Sequence, residues 1–398
     1  MRQEFIMPAA EIQDRTRRIQ EELKENELDG LFIVQRVDLL YFAGTAQNGV
    51  MYIPAEGDPL LMIRKYMPRA RHESPVKQII EIKSVREIPR RIADCYGQQP
   101  HILGFELDVV PFNDFEFYQH LFSRTKCVDS SRLIHKIRMI KSEWEIEQID
   151  KTAELSCRTF EYITENIRPG YTEMEFAGMF EAFARKLGHG GKLRARGYQT
   201  EVYPWHILSG KSGGMVGLLD SPFSGEGTSL AFPSGAGSKK LATNEPILID
   251  LGTVLNGYHF DETRMFAIDA MPDKALNACM ASIEIHNEIL DNVRPGILLE
   301  DLFRISVVKA ESLGYADTYL GPSGYKVTFI GHGIGLDLIE YPIIAAKKKE
   351  VLQPGMIFAL EPKMTFQNEF GAGIESVFLV TETGHRLISQ VPVQVFIC

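Results

Sequence analysis

The run ILIDLGTVLNGYHFDETRMF, residues 247–266, decides the fold. At its centre Asn256-Gly257 is a strong hairpin signal, because a two-residue type I′ turn needs positive φ at both positions and these residues tolerate it. With that turn, Leu255 faces Tyr258, Gly252 faces Asp261 and Asp250 faces Thr263. Asp250 and Asp261 then share one face as diagonal neighbours, roughly 7 Å apart at Cα. Carboxylates held that near repel unless a cation lies between them.

A second acid pair lies downstream. A hairpin joining residues 357–361 to 374–380 through a turn centred on Asn368 sets Glu361 opposite Glu375. Between the hairpins stands Gly-His-Gly-Ile-Gly, residues 331–335, where glycines leave His332 free to approach other backbone closely. Four carboxylates and one imidazole suit two divalent cations, and oxygen-rich ligands with one nitrogen fit manganese, cobalt, iron or zinc. Such a pair activates a shared water and clamps the oxygens of a transition state. The expectation is a hydrolytic dinuclear centre.

Working outward, residues 165–188 (ENIRPGYTEMEFAGMFEAFARKLG) match residues 291–314 (DNVRPGILLEDLFRISVVKAESLG) without a gap, at an offset of 126. Each copy reads as a helix end, an Arg-Pro-Gly break and a second helix stopped by Gly188 or Gly314. The larger part of the chain is therefore read as two related halves. Ser142 and Glu145 form a capping box ahead of a helix whose face carries Ile146, Ile149, Ala153 and Phe160. That places a domain boundary near residues 138–142. Before it, Ile12, Ile19 and Leu23 suit a helical face, while residues 31–34, 51–53, 60–63 and 102–107 read as buried strands of an α/β domain.

Composition restricts the partners. The 398 residues carry 43 Lys plus Arg against 53 Asp plus Glu, a net charge of -10 that would repel a phosphate backbone. No apolar run approaches the roughly 18 residues of a membrane span, and residues 1–14 show no secretion signal. The five cysteines are odd in number, widely spaced and without a CxxC pair, which fits reduced thiols. The expectation is a cytoplasmic protein that binds neither nucleic acid nor membrane.

The runs 247–252 (ILIDLG), 257–266 (GYHFDETRMF), 331–342 (GHGIGLDLIEYP), 352–362 (LQPGMIFALEP) and 373–384 (GIESVFLVTETG) resemble the ligand motifs of the pita-bread metallopeptidases, the M24-type group of Xaa-Pro aminopeptidases, prolidases, methionine aminopeptidases and creatinase. LDGLFIV and LLYFAGT are similar to the creatinase-type N-terminal domain. The resemblance implies a ribonuclease-H-like α/β domain over residues 1–140 and an α+β pita-bread domain with an internal pseudo-twofold repeat over residues 141–398. It also implies Asp250, Asp261, His332, Glu361 and Glu375 as ligands of two divalent metal ions, with Asp261 and Glu375 bridging, and a homodimer. The activity implied is metal-dependent hydrolysis of short peptides of the Xaa-Pro class, with Glu361 accepting a proton from the attacking water.

Departures from that pattern keep a second reading open. Where family peptidases usually have histidines four residues before and seven after the ligand histidine, this chain has Thr328 and Ile339, and Gly373 stands in place of an arginine. Such groups orient a scissile carbonyl and shuttle protons, each worth on the order of 10²-fold in rate. The alternative is a non-peptidase member, a C–N hydrolase or lyase acting on another small molecule; a binding protein without catalysis is a third. Replacement groups are sought in residues 189–240, which hold Tyr198, Tyr203, Trp205 and His206 and then the Gly/Ser-rich DSPFSGEGTSLAFPSGAG. His206 is the candidate catalytic residue there. His259, by strand parity on the Asp261 face, is read as an outward-facing or hydrogen-bonded residue, and Asp337 and Glu340, beside His332, as helix-capping or pocket-wall residues with a catalytic role as the alternative.

Overall fold

The computed structural model describes residues 5–197, 205–217 and 220–398. The chain divides into two compact units; the first runs to Arg138 and also takes in Arg196, and the second begins at Met139.

The first unit is built on a six-stranded mixed sheet of β1 (Gly30–Ile33), β2 (Gly49–Pro54), β3 (Leu60–Ile63), β4 (Gln78–Glu81), β5 (Ile102–Phe105) and β6 (Lys126–Asp129), in the order β4-β3-β2-β1-β5-β6. The apolar strands expected from sequence form its centre; β4 and β6, whose residues are half-buried or exposed, form its edges. The helix Ala9–Glu25 turns Ile12, Ile19 and Leu23 inward, as their spacing predicts. The unit's buried Asp38 is held by Arg138 at 2.7 Å and Arg196 at 2.5 Å.

In the second unit both copies of the repeat fold as expected. The helix Glu143–Asn166 leads through Gly170, at φ 101°, into Glu173–Leu187, and Gly188 ends that helix at φ 117°. The second copy runs from Asp273–Asn292 through Gly296, at φ 86°, into Leu299–Ser312, with Gly314 at φ 84°. Ser142 and Glu145 make the anticipated capping box, and Ile146, Ile149, Ala153 and Phe160 are all buried.

Two antiparallel systems carry the functional side chains. One sheet holds β7 (Trp205–Ser209), β8 (Ile247–Leu255) and β9 (Tyr258–Ala267), with β17 (Val395–Ile397) added parallel to β9. The other holds β10 (Phe329–Gly333), β11 (Glu340–Ala345), β12 (Ile357–Leu360), β15 (Ser376–Val380) and β16 (His385–Leu387), in the order β11-β10-β12-β15-β16. A short ladder of β13 (Lys363–Phe366) with β14 (Phe370–Gly373) extends the β12–β15 pair. Among the described residues no helix is long and apolar enough to cross a membrane.

Candidate metal centre

The β8–β9 hairpin sets the first acid pair. Asn256 and Gly257 turn at φ 55° and 89°, and the register is Leu255↔Tyr258, Gly252↔Asp261 and Asp250↔Thr263, as the two-residue turn requires.

The second pair follows from a ladder split in two. β12 pairs with β15 up to Leu360↔Ser376, and β13 resumes with β14 at Lys363↔Gly373 in the same register, closing on a turn around Asn368 at φ 61°. Glu361 and Glu375 fall in the break between the ladders, on opposing positions. A β-bridge between Thr263 and Glu375 then joins this hairpin to the first, and Thr263 Oγ1 donates to Glu375 Oε2 at 2.8 Å. The fully buried Arg264 fixes the same junction, donating to the carbonyls of Glu375 at 2.5 Å and Thr263 at 2.9 Å and pairing with Glu262 at 3.2 Å.

His332 enters from β10. A Cβ on Gly331 would lie 2.5 Å from the Ala359 carbonyl oxygen, and one on Gly333 would lie 2.6 Å from that of Tyr341. The flanking glycines therefore allow the strand packing that carries the imidazole inward. His332 Nδ1 lies 3.1 Å from the Gly333 carbonyl oxygen, which can only accept, so Nδ1 bears the proton. Nε2 is turned toward Asp261 Oδ2 at 3.9 Å and Glu361 Oε1 at 3.7 Å.

Sequence reasoning missed Lys363. Its Nζ is buried among the acids, 3.0 Å from Asp250 Oδ2, 3.0 Å from Glu361 Oε2 and 2.9 Å from Glu375 Oε2. The Phe223 ring, from the Gly/Ser-rich segment, lies 5.8 Å from the same nitrogen. Two signals pointed to it: on a strand, Lys363 shares the face of Glu361 two residues earlier, and its opposing residue is a glycine.

Charge is distributed unevenly. Burial would raise the Asp250 carboxyl, but Lys363 and His206 outweigh it and hold it below the usual carboxylate range. Burial together with Glu375 and Asp250 pushes Asp261 well above that range, and burial, despite Lys363, brings Glu375 up to about 8. The Lys363 ammonium is bonded to Asp250, whereas among the described residues Asp261 has no lysine or arginine partner and faces His332.

The fit of metal ions respects the same division. Ligand atoms of Asp261, His332 and Glu375 lie within 4.8 Å of one another, compatible with one ion bound at about 2.0–2.2 Å after a slight contraction. The expectation of a second ion meets the Lys363 ammonium, and Asp250, expected as a metal ligand, is bonded to that ammonium.

The other candidates differ in their surroundings. His206 on β7 sits opposite Asp250, with Nδ1 3.9 Å from Oδ2 and a buried Nε2 that has no partner among the described residues. Burial lowers its pKa. His259 is buried, its Nδ1 donating to the Gly335 carbonyl at 3.0 Å and its Nε2 accepting from the Arg194 amide at 3.1 Å. Glu340 accepts from the buried Lys141 at 3.2 Å and from the Asp337 amide at 3.0 Å, a wall-building role. Trp205 packs against Phe180 and His189. Tyr198 and Tyr203 lie outside the described residues. Ile339 is exposed, and Gly373 faces Lys363.

Comparison with known proteins agrees with this architecture. The model of metallopeptidase family M24 matches residues 147–382, and that of the creatinase/prolidase N-terminal domain matches residues 15–140. An Xaa-Pro dipeptidase of Pyrococcus furiosus is 24% identical over 384 residues, covering 95% of this chain and 98% of that protein. Among solved structures, an Xaa-Pro dipeptidase from Bacillus anthracis superposes with a TM-score of 0.83 at 22% identity, covering 97% of this chain and 100% of the other. An X-Pro aminopeptidase from Thermotoga maritima gives 0.80 at 22% identity, covering 96% and 99%.

Proposed function

Because the chain belongs to metallopeptidase family M24, we propose that it is a metal-dependent hydrolase of short peptides, with Xaa-Pro bonds as its preferred class. The observation that carries this reading is the buried convergence of Asp261, His332 and Glu375, with Glu361 3.7 Å from the imidazole. These residues would hold the cation, whose contribution when bound is Lewis-acid polarisation of the scissile carbonyl and of the attacking water. Glu361 is the proton acceptor for that water, and its second oxygen is fixed by Lys363. His206 is the second proton-handling group: it is buried beside Asp250 and its Nε2 is uncommitted among the described residues. The proposal includes a homodimer, in keeping with the resemblance read from the sequence, and a cytoplasmic location, in keeping with the reading of the cysteines as reduced thiols.

Testing requires a panel of Xaa-Pro dipeptides and tripeptides, offered to protein loaded with manganese or cobalt and to a chelated control. Metal-dependent cleavage supports the peptidase reading. A second reading, hydrolysis or elimination at a C–N bond of another small molecule, is favoured by Thr328, Ile339 and Gly373 at positions where family peptidases usually carry proton-handling or carbonyl-orienting side chains. Protein shown to carry metal yet inert toward every peptide would select it.

A further inference from the structure

The number of ions that this centre holds is set by Lys363, an inference that rests on the metal-dependent function proposed for the site. An ammonium has three N–H donors. That of Lys363 has three carboxylate acceptors, Asp250, Glu361 and Glu375, all within 3.0 Å. An ion shared by Asp250 and Glu375 would need the volume bounded by those oxygens, where a tethered cation already sits. Asp261 is left out of this network and faces His332 instead. We propose that the centre takes a single divalent ion, held by Asp261, His332 and Glu375 with Glu361 alongside, and that the Lys363 ammonium permanently fills the second cation position.

The backbone opposite is shaped for this arrangement. Lys363 pairs across the ladder with Gly373, where a Cβ would lie 2.6 Å from Lys363 Cγ. Only a residue without a side chain lets the lysine stem cross that position. The ammonium is also held firmly: Lys363 is 2% exposed, and a buried charge persists only when its hydrogen-bonding capacity is met. With all three N–H groups engaged, it neutralises carboxylates without offering a coordination position, which removes the geometry for an oxygen shared by two ions.

The decisive experiment counts manganese on the full chain, by elemental analysis after Mn²⁺ loading and desalting, by titration calorimetry and by the Mn²⁺ paramagnetic resonance spectrum. The wild-type protein is expected to carry one ion per chain with an uncoupled spectrum. Asp261→Asn should raise the Kd for Mn²⁺ more than about 100-fold, beyond the effect of losing an outer partner, whereas Asp250→Asn should change it by less than about tenfold. Folded Lys363→Ala should take up a second ion. Two exchange-coupled ions in the wild type would overturn the inference while leaving the metal-dependent reading intact. Absence of any bound manganese would overturn both. The inference also fails if Asp250→Asn is as damaging as Asp261→Asn, a contrast that stands even if Lys363→Ala does not fold, or if folded Lys363→Ala still binds one ion.

Discussion

Lys363 and Gly373 face each other across the β13–β14 ladder, and the lysine stem runs through the space that a Gly373 side chain would occupy, with Cγ only 2.6 Å from an added Cβ. The two positions are thus coupled. Gly373→Ala should destabilise the fold by about 1–3 kcal/mol, the usual cost of overpacking. The double variant Lys363→Ala/Gly373→Ala should cost less than the sum of the single changes, since truncation removes the nearest contact. Urea midpoints of the four proteins measure the coupling; strict additivity would show that the contact carries no strain.

Arg264 is the second structural hinge of the site. Its guanidinium donates to the carbonyls of Thr263, Glu375, Val391 and Pro392 and pairs with Glu262, all without exposure to solvent. Arg264→Met should cost about 3–5 kcal/mol, because it leaves Glu262 buried without its cation. Adding Glu262→Gln should recover part of that loss. Equilibrium unfolding of both variants checks the prediction, and an unchanged midpoint for Arg264→Met would refute it.

Acid sensitivity should arise in part from His286. It lies on the helix Asp273–Asn292 at 1% exposure, and burial brings its pKa from 6.5 down to about 4 despite its contact with Asn287. The folded state therefore binds this proton less readily than the unfolded chain. Its contribution is complete above pH about 6.5 and is lost as pH falls toward about 4, by at most about 3 kcal/mol. His286→Gln should flatten the stability profile within that window and leave its slope above pH 7 unchanged. Urea unfolding at half-unit pH steps would show this, and parallel profiles would contradict it.

The acid pairs were legible because each register had a local determinant: Asn256-Gly257 in the first hairpin, and the turn at Asn368 with strict alternation in the second. The repeat was legible because Gly170 and Gly188 recur at Gly296 and Gly314, each with positive φ. Lys363 was not, since a lysine near a strand end ordinarily faces water. Only its parity with Glu361 and the glycine opposite mark that face as inward, and these have meaning once the carboxylates are known to converge. Arg264 escaped for a related reason: its partners are mainly backbone carbonyls from residues 391–392 and 375, which no residue pattern identifies. The edge strands β4 and β6 lack an apolar run because one side of each has no sheet neighbour.

Metal binding should appear as stability, and His332 should control it. The imidazole is presented with Nδ1 against the Gly333 carbonyl and Nε2 toward Asp261 and Glu361, so loss of the ring removes the one nitrogen donor of the cluster. An ion that binds only the folded chain stabilises it by about 2.7 kcal/mol at a free concentration one hundred times its Kd. Manganese should therefore raise the wild-type melting temperature, and a chelator should reverse the rise. His332→Ala should retain the fold, because β10 is held by backbone pairing to β11 and β12, but it should lose most of the manganese-induced increment. His259→Gln is the control: His259 is hydrogen-bonded to backbone at both nitrogens and lies outside the Asp261–His332–Glu375 cluster, so this variant should keep the increment whatever its own stability. Equal shifts in wild type and His332→Ala would place the ion elsewhere.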